Sequence, residues 1–201
     1  MSPDPDVAGI ILAGGRGRRL GERDKGLVEL AGRPLVAHVL DRLRPQVAES
    51  VISANRHLDV YARFGVPVVA DELPDQPGPL AGLLAAARQC RRDWLLCVPC
   101  DTPWLPTDLA RRLRETAARA GVALVRAADP ERVHFAVMLL HRDRLVDLAQ
   151  ALADGERRVQ GWQARLPSAD CRFPDPRAFF NINTETDLAE AGHLVDMKPG
   201  D

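Results

Sequence analysis

The chain has 201 residues, is 46% hydrophobic and carries a formal net charge of -1, which allows one substantial core and no broad basic face. General binding to nucleic acid or to an anionic membrane surface is thereby excluded, because both depend on extended cationic patches. Behind the polar start Met1–Asp6 there is no apolar run long enough for a signal peptide or a membrane span, so the expected compartment is the cytoplasm.

Along the chain, Val7–Leu12 reads as a buried strand that opens into Ala13-Gly14-Gly15-Arg16-Gly17-Arg18-Arg19-Leu20-Gly21, with Asp24-Lys25-Gly26 just beyond. Between residues 16 and 25 five cations oppose two anions, so this loop is +3 in a chain that is -1. A strand running into a glycine-rich, locally cationic loop lets backbone N–H groups approach phosphate oxygens. It is not a Walker loop, since Gly21 is followed by Glu22-Arg23-Asp24-Lys25-Gly26. Nor is it a dinucleotide fingerprint, since Gly15-Arg16-Gly17-Arg18-Arg19-Leu20 lacks the last glycine. The alternative is a surface loop of solvated arginines. Against that stands Lys25, which apart from Lys198 is the only lysine in an arginine-rich chain. A compact ammonium is a point charge suited to phosphate.

Further strands are expected at Ser50–Ala54, Pro67–Ala70, Trp94–Val98, Val122–Arg126 and Val133–Leu140. Helical patterns cover Pro34–Pro45, Asp59–Phe64, Pro79–Cys90, Thr107–Arg119, Arg142–Ala153 and Thr184–Leu194. Residues 127–132 read as a loop, and 155–178 as irregular apart from a short helix near Arg157–Leu166. This alternation predicts an α/β fold in three layers, a mainly parallel sheet between helices, with ligands at the carboxyl ends of the strands. No composition shift divides the chain, so residues 1–195 are expected to form a single domain and 196–201 a frayed tail.

Two carboxylates fall on that same rim. Asp101, in Pro99-Cys100-Asp101-Thr102-Pro103, follows the strand at Trp94–Val98, and Asp71 follows the strand at Pro67–Ala70. A lone aspartate beside a polyphosphate is the usual protein share of a magnesium site, since the ion takes its other oxygens from phosphates and water. A turn or capping role is the competing reading for Asp101. Pro77-Gly78-Pro79-Leu80-Ala81-Gly82 is a rigid turn into a helix whose small residues allow a ring or phosphate to approach; a plain connection explains it equally well. In Asn181-Ile182-Asn183-Thr184, either Thr184 and Asp187 form a helix cap or the two amides serve a metal or substrate, and the sequence leaves the two readings even. Cys97 and Cys100 match the CxxC spacing without a second pair, and read as buried thiols on opposite faces of a strand. The five histidines have no metal-ligand spacing and read as packing or surface residues.

Taken in order, these motifs resemble the molybdenum cofactor guanylyltransferases of the MobA type, within a wider group of Rossmann-like nucleotidyltransferases. The likeness runs from about Val7 to Leu188 and includes Leu12-Ala13-Gly14-Gly15, Asp24-Lys25-Gly26, Gly32-Arg33-Pro34-Leu35, Ala54-Asn55-Arg56, Pro77–Gly82, Pro99–Pro103, Gly155-Glu156-Arg157-Arg158 and Asn181–Thr184. The resemblance implies transfer of GMP from GTP to molybdenum-molybdopterin, forming molybdopterin guanine dinucleotide and releasing pyrophosphate. It implies that Leu12, Ala13, Gly14, Gly15, Lys25, Ser53, Asp71 and Asp101 bind GTP. Lys25, Asp101 and Arg19 would then be catalytic, with Asp101 ligating Mg2+. Gly82, Arg157, Asn181 and Asn183 would lie toward molybdopterin. Transient contact with molybdoenzymes or their chaperones would follow from handing on the product.

Position 53, often asparagine in such enzymes, is Ser53 here, and His134-Phe135-Ala136 lacks the proline and threonine that usually follow that histidine. A related cytidylyl- or sugar-phosphate nucleotidyltransferase is the nearest alternative, and CTP users commonly read Leu-Ala-Ala-Gly where this chain has Leu12-Ala13-Gly14-Gly15. A non-catalytic molybdopterin or nucleotide carrier is the other, and it has less need of the Lys25 and Asp101 pair.

Overall fold

A computed structural model describes residues 3–14, 16–17, 23–71 and 78–196, with Arg16, Gly17, Val195 and Asp196 described by their backbone alone. Gly15, Arg18, Arg19, Gly21, Pro77 and the tail from 197 onward lie outside the described residues.

Seven strands form one sheet: β1 (Asp4–Leu12), β2 (Val47–Ser53), β3 (Val68–Val69), β4 (Trp94–Pro99), β5 (Leu124–Ala128), β6 (Val133–His141) and β7 (Ala169–Arg172). Their spatial order is β7-β5-β6-β4-β1-β2-β3. β1 pairs in parallel with β2 and β4, β2 with β3, and β5 with β7, whereas β6 runs antiparallel to both its neighbours. The sheet is therefore mainly parallel, as expected. The expected strands and helices all form, with ends shifted by up to three residues.

The helices are α1 (Leu35–Leu43), α2 (Leu58–Ala62), α3 (Pro79–Gln89), α4 (Leu109–Ala120), α5 (Leu145–Ala153), α6 (Val159–Gln163) and α7 (Glu185–Asp196). Asp196, placed in the tail by the sequence, thus belongs to a helix. One core face packs α1, α2 and α4 on the sheet through Val36, Val39, Leu40, Tyr61, Leu109 and Leu113. The other packs α3, α5 and α6 through Leu80, Leu83, Ala87, Leu148, Leu152 and Trp162. Cys97 belongs to the second face and Cys100 to the first, as the strand period requires. Both are free thiols whose pKa burial raises above the ordinary range.

Beyond the sequence-based expectations, the structure adds β7 and two short antiparallel pairings, Arg16–Gly17 with Arg23–Asp24 and Glu29–Leu30 with Arg33–Pro34. β7 reads Ala-Asp-Cys-Arg and buries only its cysteine fully, so it carries almost no apolar alternation. No described helix is long and apolar enough to cross a membrane.

The chain leaves β1 toward β2 on one side and later returns to β4 on the other. β1 is thus the strand at which the connections change direction, and ligands of open α/β sheets bind beside such a point.

Candidate active site

Register builds the site. Leu12 lies level with Ser53 on one side and Pro99 on the other, and Ser53 lies level with Val69. Three further amide bonds carry this ladder one residue past the strand ends: Ala13 to the Ser53 carbonyl (2.7 Å), Ala54 to the Val69 carbonyl (3.0 Å) and Cys100 to the Leu12 carbonyl (3.1 Å). Two residues beyond the common row, the four chains present Gly14, Asn55, Asp71 and Asp101 side by side. Rigid pairing up to that row is what fixes four groups from four distant segments in one arc.

The arc opens on a cavity of about 460 Å³, lined among others by Leu12, Gly14, Lys25, Ser53, Asn55, Asp71, Gly78, Gly82, Asp101 and Ala136. The sequence-derived residues Leu12, Gly14, Lys25, Ser53, Asp71, Asp101 and Gly82 therefore meet in one place. Ala13 does not line it; its side chain is buried in the core, and its amide continues the ladder. Gly15 and Arg19 fall outside the described residues.

Asp101 is 5% exposed and anchors the polar end. Its Oδ1 accepts from Asn181 Nδ2 (3.0 Å) and its Oδ2 from Lys25 Nζ. Lys25 Nζ also donates to Asn183 Oδ1 (2.5 Å). The Asp101 backbone carbonyl accepts from the amide of Ile182, so the segment 181–183 is pinned along the aspartate. The Asn181–Thr184 motif turns out to serve both readings at once. Asp187 accepts from the amides of Asn183 (2.8 Å) and Thr184 (2.9 Å), and the Thr184 hydroxyl accepts from the amide of Asp187 (3.1 Å). That reciprocal cap starts α7, while the two asparagine side chains project into the site.

Arg157, expected toward molybdopterin, meets the cavity wall through its backbone, and its side chain is engaged elsewhere. Its guanidinium donates to the carbonyls of Leu152 and Glu156, both at 2.9 Å, and its own carbonyl lies beside Gly78. Gly82 faces Ser53 so closely that a Cβ there would overlap the serine hydroxyl.

Four further groups shape the site. Asn55 holds Asp71 at both ends, donating to its carboxylate (2.5 Å) and accepting from its amide (3.0 Å). Asp129 and His134 form a buried pair at 2.6 Å, and the His134 ring lies 4.7 Å from that of Phe179, just ahead of the asparagines. Burial works to raise the Asp129 pKa, but the His134 hydrogen bond and the amides of Arg132 and Glu131 outweigh it, and the net direction is down. Gln163, wholly buried, donates to the Phe135 carbonyl (2.9 Å) at the register shift of β6. It thereby shapes the stretch that puts Ala136 in the cavity wall. Tyr61 donates its hydroxyl to Asp24 (2.5 Å). Asn55 was visible in the sequence only as a motif residue; the other three depend on contacts between segments far apart in the chain.

Among the described residues no group of three or more His, Cys, Asp or Glu side chains could hold a metal by itself. The donor set nevertheless fits a hard divalent cation that completes its shell with phosphate and water oxygens. Asp101 Oδ2 and Asn183 Oδ1 already converge on one cationic point, the Lys25 ammonium.

Comparison with known proteins agrees with this geometry. Residues 9–169 match the family model for the MobA-like NTP transferase domain. A molybdenum cofactor guanylyltransferase of Burkholderia orbicola is 48% identical over 92% of this chain and 95% of its own. One from Ralstonia nicotianae is 45% identical over 98% of this chain and 100% of its own. The crystal structure of molybdopterin-guanine dinucleotide biosynthesis protein A from Archaeoglobus fulgidus superposes with a TM-score of 0.79 at 22% identity, covering 95% of this chain and 100% of the other. Nucleotidyltransferases of this kind generally use a divalent metal. The chain belongs to the MobA-like NTP transferase family and is a nucleotidyltransferase.

Proposed function

We propose that this enzyme transfers GMP from GTP to molybdenum-molybdopterin, forming molybdopterin guanine dinucleotide and releasing pyrophosphate. The observation that carries the reading is the meeting of Lys25, Asp101 and Asn183 at the mouth of a cavity framed by four strand ends. The guanylyltransferases at 45–48% identity over nearly the whole chain support the choice of substrates.

In this mechanism the terminal phosphate of molybdopterin attacks the α-phosphorus of GTP in line. A new O–P bond forms as the α–β bridge breaks, and pyrophosphate leaves with the bonding electron pair. The attacking phosphate is already an anion, so no general base is required, and rate enhancement comes from positioning and charge neutralisation. The backbone of Leu12–Gly15, with Ser53 and Asp71, holds GTP. Lys25 and Arg19, with help from Arg16 and Arg18, bind the triphosphate and draw off the departing pyrophosphate. Asp101 would hold Mg2+, with Asn183 Oδ1 as the neighbouring oxygen donor. When bound, the ion neutralises phosphate charge in the transition state. Asn181 and Asn183 face the molybdopterin side together with the segment that carries Arg157, and Gly82 borders both substrates. The whole of 1–195 acts as one nucleotidyltransferase domain. The four free cysteines suit the reducing cytoplasm, where product would pass by transient contact to molybdoenzymes or their chaperones.

Pyrophosphate release measured with GTP and with CTP, each in the presence of loaded molybdopterin, tests the reading. GTP should be strongly preferred. Release with CTP alone would make this a cytidylyltransferase, and GTP binding without release would make it a carrier.

A further inference from the structure

Tyr61 is the only tyrosine of the chain and lies on α2, fully buried in the core. Its hydroxyl donates to Asp24 Oδ1 at 2.5 Å, across 37 positions of sequence. Asp24 is itself 7% exposed and is the residue before Lys25. The residue after Lys25 is shaped by the same hydroxyl. Gly26 approaches it so closely that a Cβ would overlap the Tyr61 oxygen and press on its ring. A single hydroxyl thus fixes the side chain on one flank of Lys25 and sits against the backbone on the other.

We propose that Tyr61 is a positioning residue that, through Asp24 and Gly26, aims the Lys25 ammonium at the polyphosphate. The proposal rests on the reading of Lys25 as the phosphate-binding cation.

Three features favour this over a purely structural role. Residues 25–27 form one short 3-10 turn between two-residue pairings, and the Tyr61 hydroxyl contacts the residue on each side of Lys25. Lys25 reaches two acceptors from different segments, Asp101 and Asn183, which demands an accurate origin for its side chain. The tyrosine is also held protonated: burial first, then the hydrogen bond and charge of Asp24, push its pKa up, against a smaller effect of Arg56. It is therefore a permanent donor to the carboxylate beside the catalytic lysine.

The test is a double-mutant cycle read by calorimetric binding of inorganic pyrophosphate with magnesium, a probe that does not depend on which nucleotide is the substrate. Tyr61→Phe keeps the ring and removes the hydroxyl. It should melt cooperatively and bind pyrophosphate about 10-fold more weakly, the effect of one charge-assisted hydrogen bond. Tyr61→Phe combined with Lys25→Ala should bind no more weakly than Lys25→Ala alone, because the hydroxyl acts through the lysine. Unchanged binding in Tyr61→Phe, or losses that multiply in the double variant, would overturn the proposal. If Tyr61→Phe does not fold, Asp24→Ala takes its place in the cycle, with the same weakening expected and the same two results overturning the proposal. Wild-type protein that binds no pyrophosphate would overturn both this proposal and the phosphate role of Lys25. Wild-type binding without guanylyl transfer would overturn only the choice of reaction.

Discussion

In the proposed mechanism the chemistry turns on Lys25 and Asp101, and each is held by more than its partner. Asp101 accepts from Asn181 as well as from Lys25, and Lys25 donates to Asn183 as well as to Asp101. Replacing either by alanine leaves the strands that frame the cavity untouched. Turnover of Lys25→Ala and Asp101→Ala should each fall by about 10²-fold or more, as loss of a transition-state charge partner implies, while far-ultraviolet circular dichroism stays that of wild type. Near-normal turnover in both would remove the site from the place assigned to it. Asp71 and Asp101 were legible in the sequence because each is the first carboxylate after an apolar run. The partners that orient them were less so. Asn55 lies 16 residues before Asp71, and Asn181 lies 80 residues after Asp101, distances at which no local pattern reports contact.

At the scale of elements, the approach of α3 to β2 sets the cavity floor. Gly82 on α3 and Ser53 at the end of β2 touch so closely that only one can carry a side chain of full reach. Gly82→Ala should therefore destabilise the protein by about 1–3 kcal/mol through overpacking and weaken nucleotide binding. In a Ser53→Ala background a Cβ at position 82 meets only the Cβ of residue 53, at 3.6 Å. There Gly82→Ala should be neutral or stabilising, since alanine in a helix interior is favoured over glycine by about 1 kcal/mol. Thermal melting of the four proteins decides it, and additive losses would refute the contact. The helices and inner strands were readable from periodicity and from proline or threonine at their starts. β7 was not, because an edge strand of four residues with two charges owes its existence to pairing with β5 rather than to its own pattern. The serine at position 53 also gains a physical setting, because a larger side chain there would press on Gly82.

Over the whole molecule, a mainly parallel sheet brings Gly14, Asn55, Asp71 and Asp101 to one rim, and the antiparallel β6 closes the cavity on the side away from β2. Two buried polar devices hold that wall, Gln163 on the Phe135 carbonyl and the Asp129–His134 pair beneath the asparagine segment. Asp129 has a folded pKa below its ordinary value, so its contribution to stability is present near neutral pH and is lost as pH falls through the carboxylate range. Asp129→Asn should lower the melting temperature near neutral pH, and the gap to wild type should narrow below about pH 4. A gap independent of pH would show that the charge of Asp129 is not what stabilises the wall.

At the centre of this mechanism, one cavity joins GTP to molybdopterin with loss of pyrophosphate. A single reaction containing GTP, molybdenum-loaded molybdopterin and magnesium, with pyrophosphate and guanine dinucleotide quantified together, tests it most directly. The two products should appear in equal amounts, and both should vanish when the metal is chelated. Pyrophosphate without dinucleotide, or neither product while GTP is bound, would contradict it.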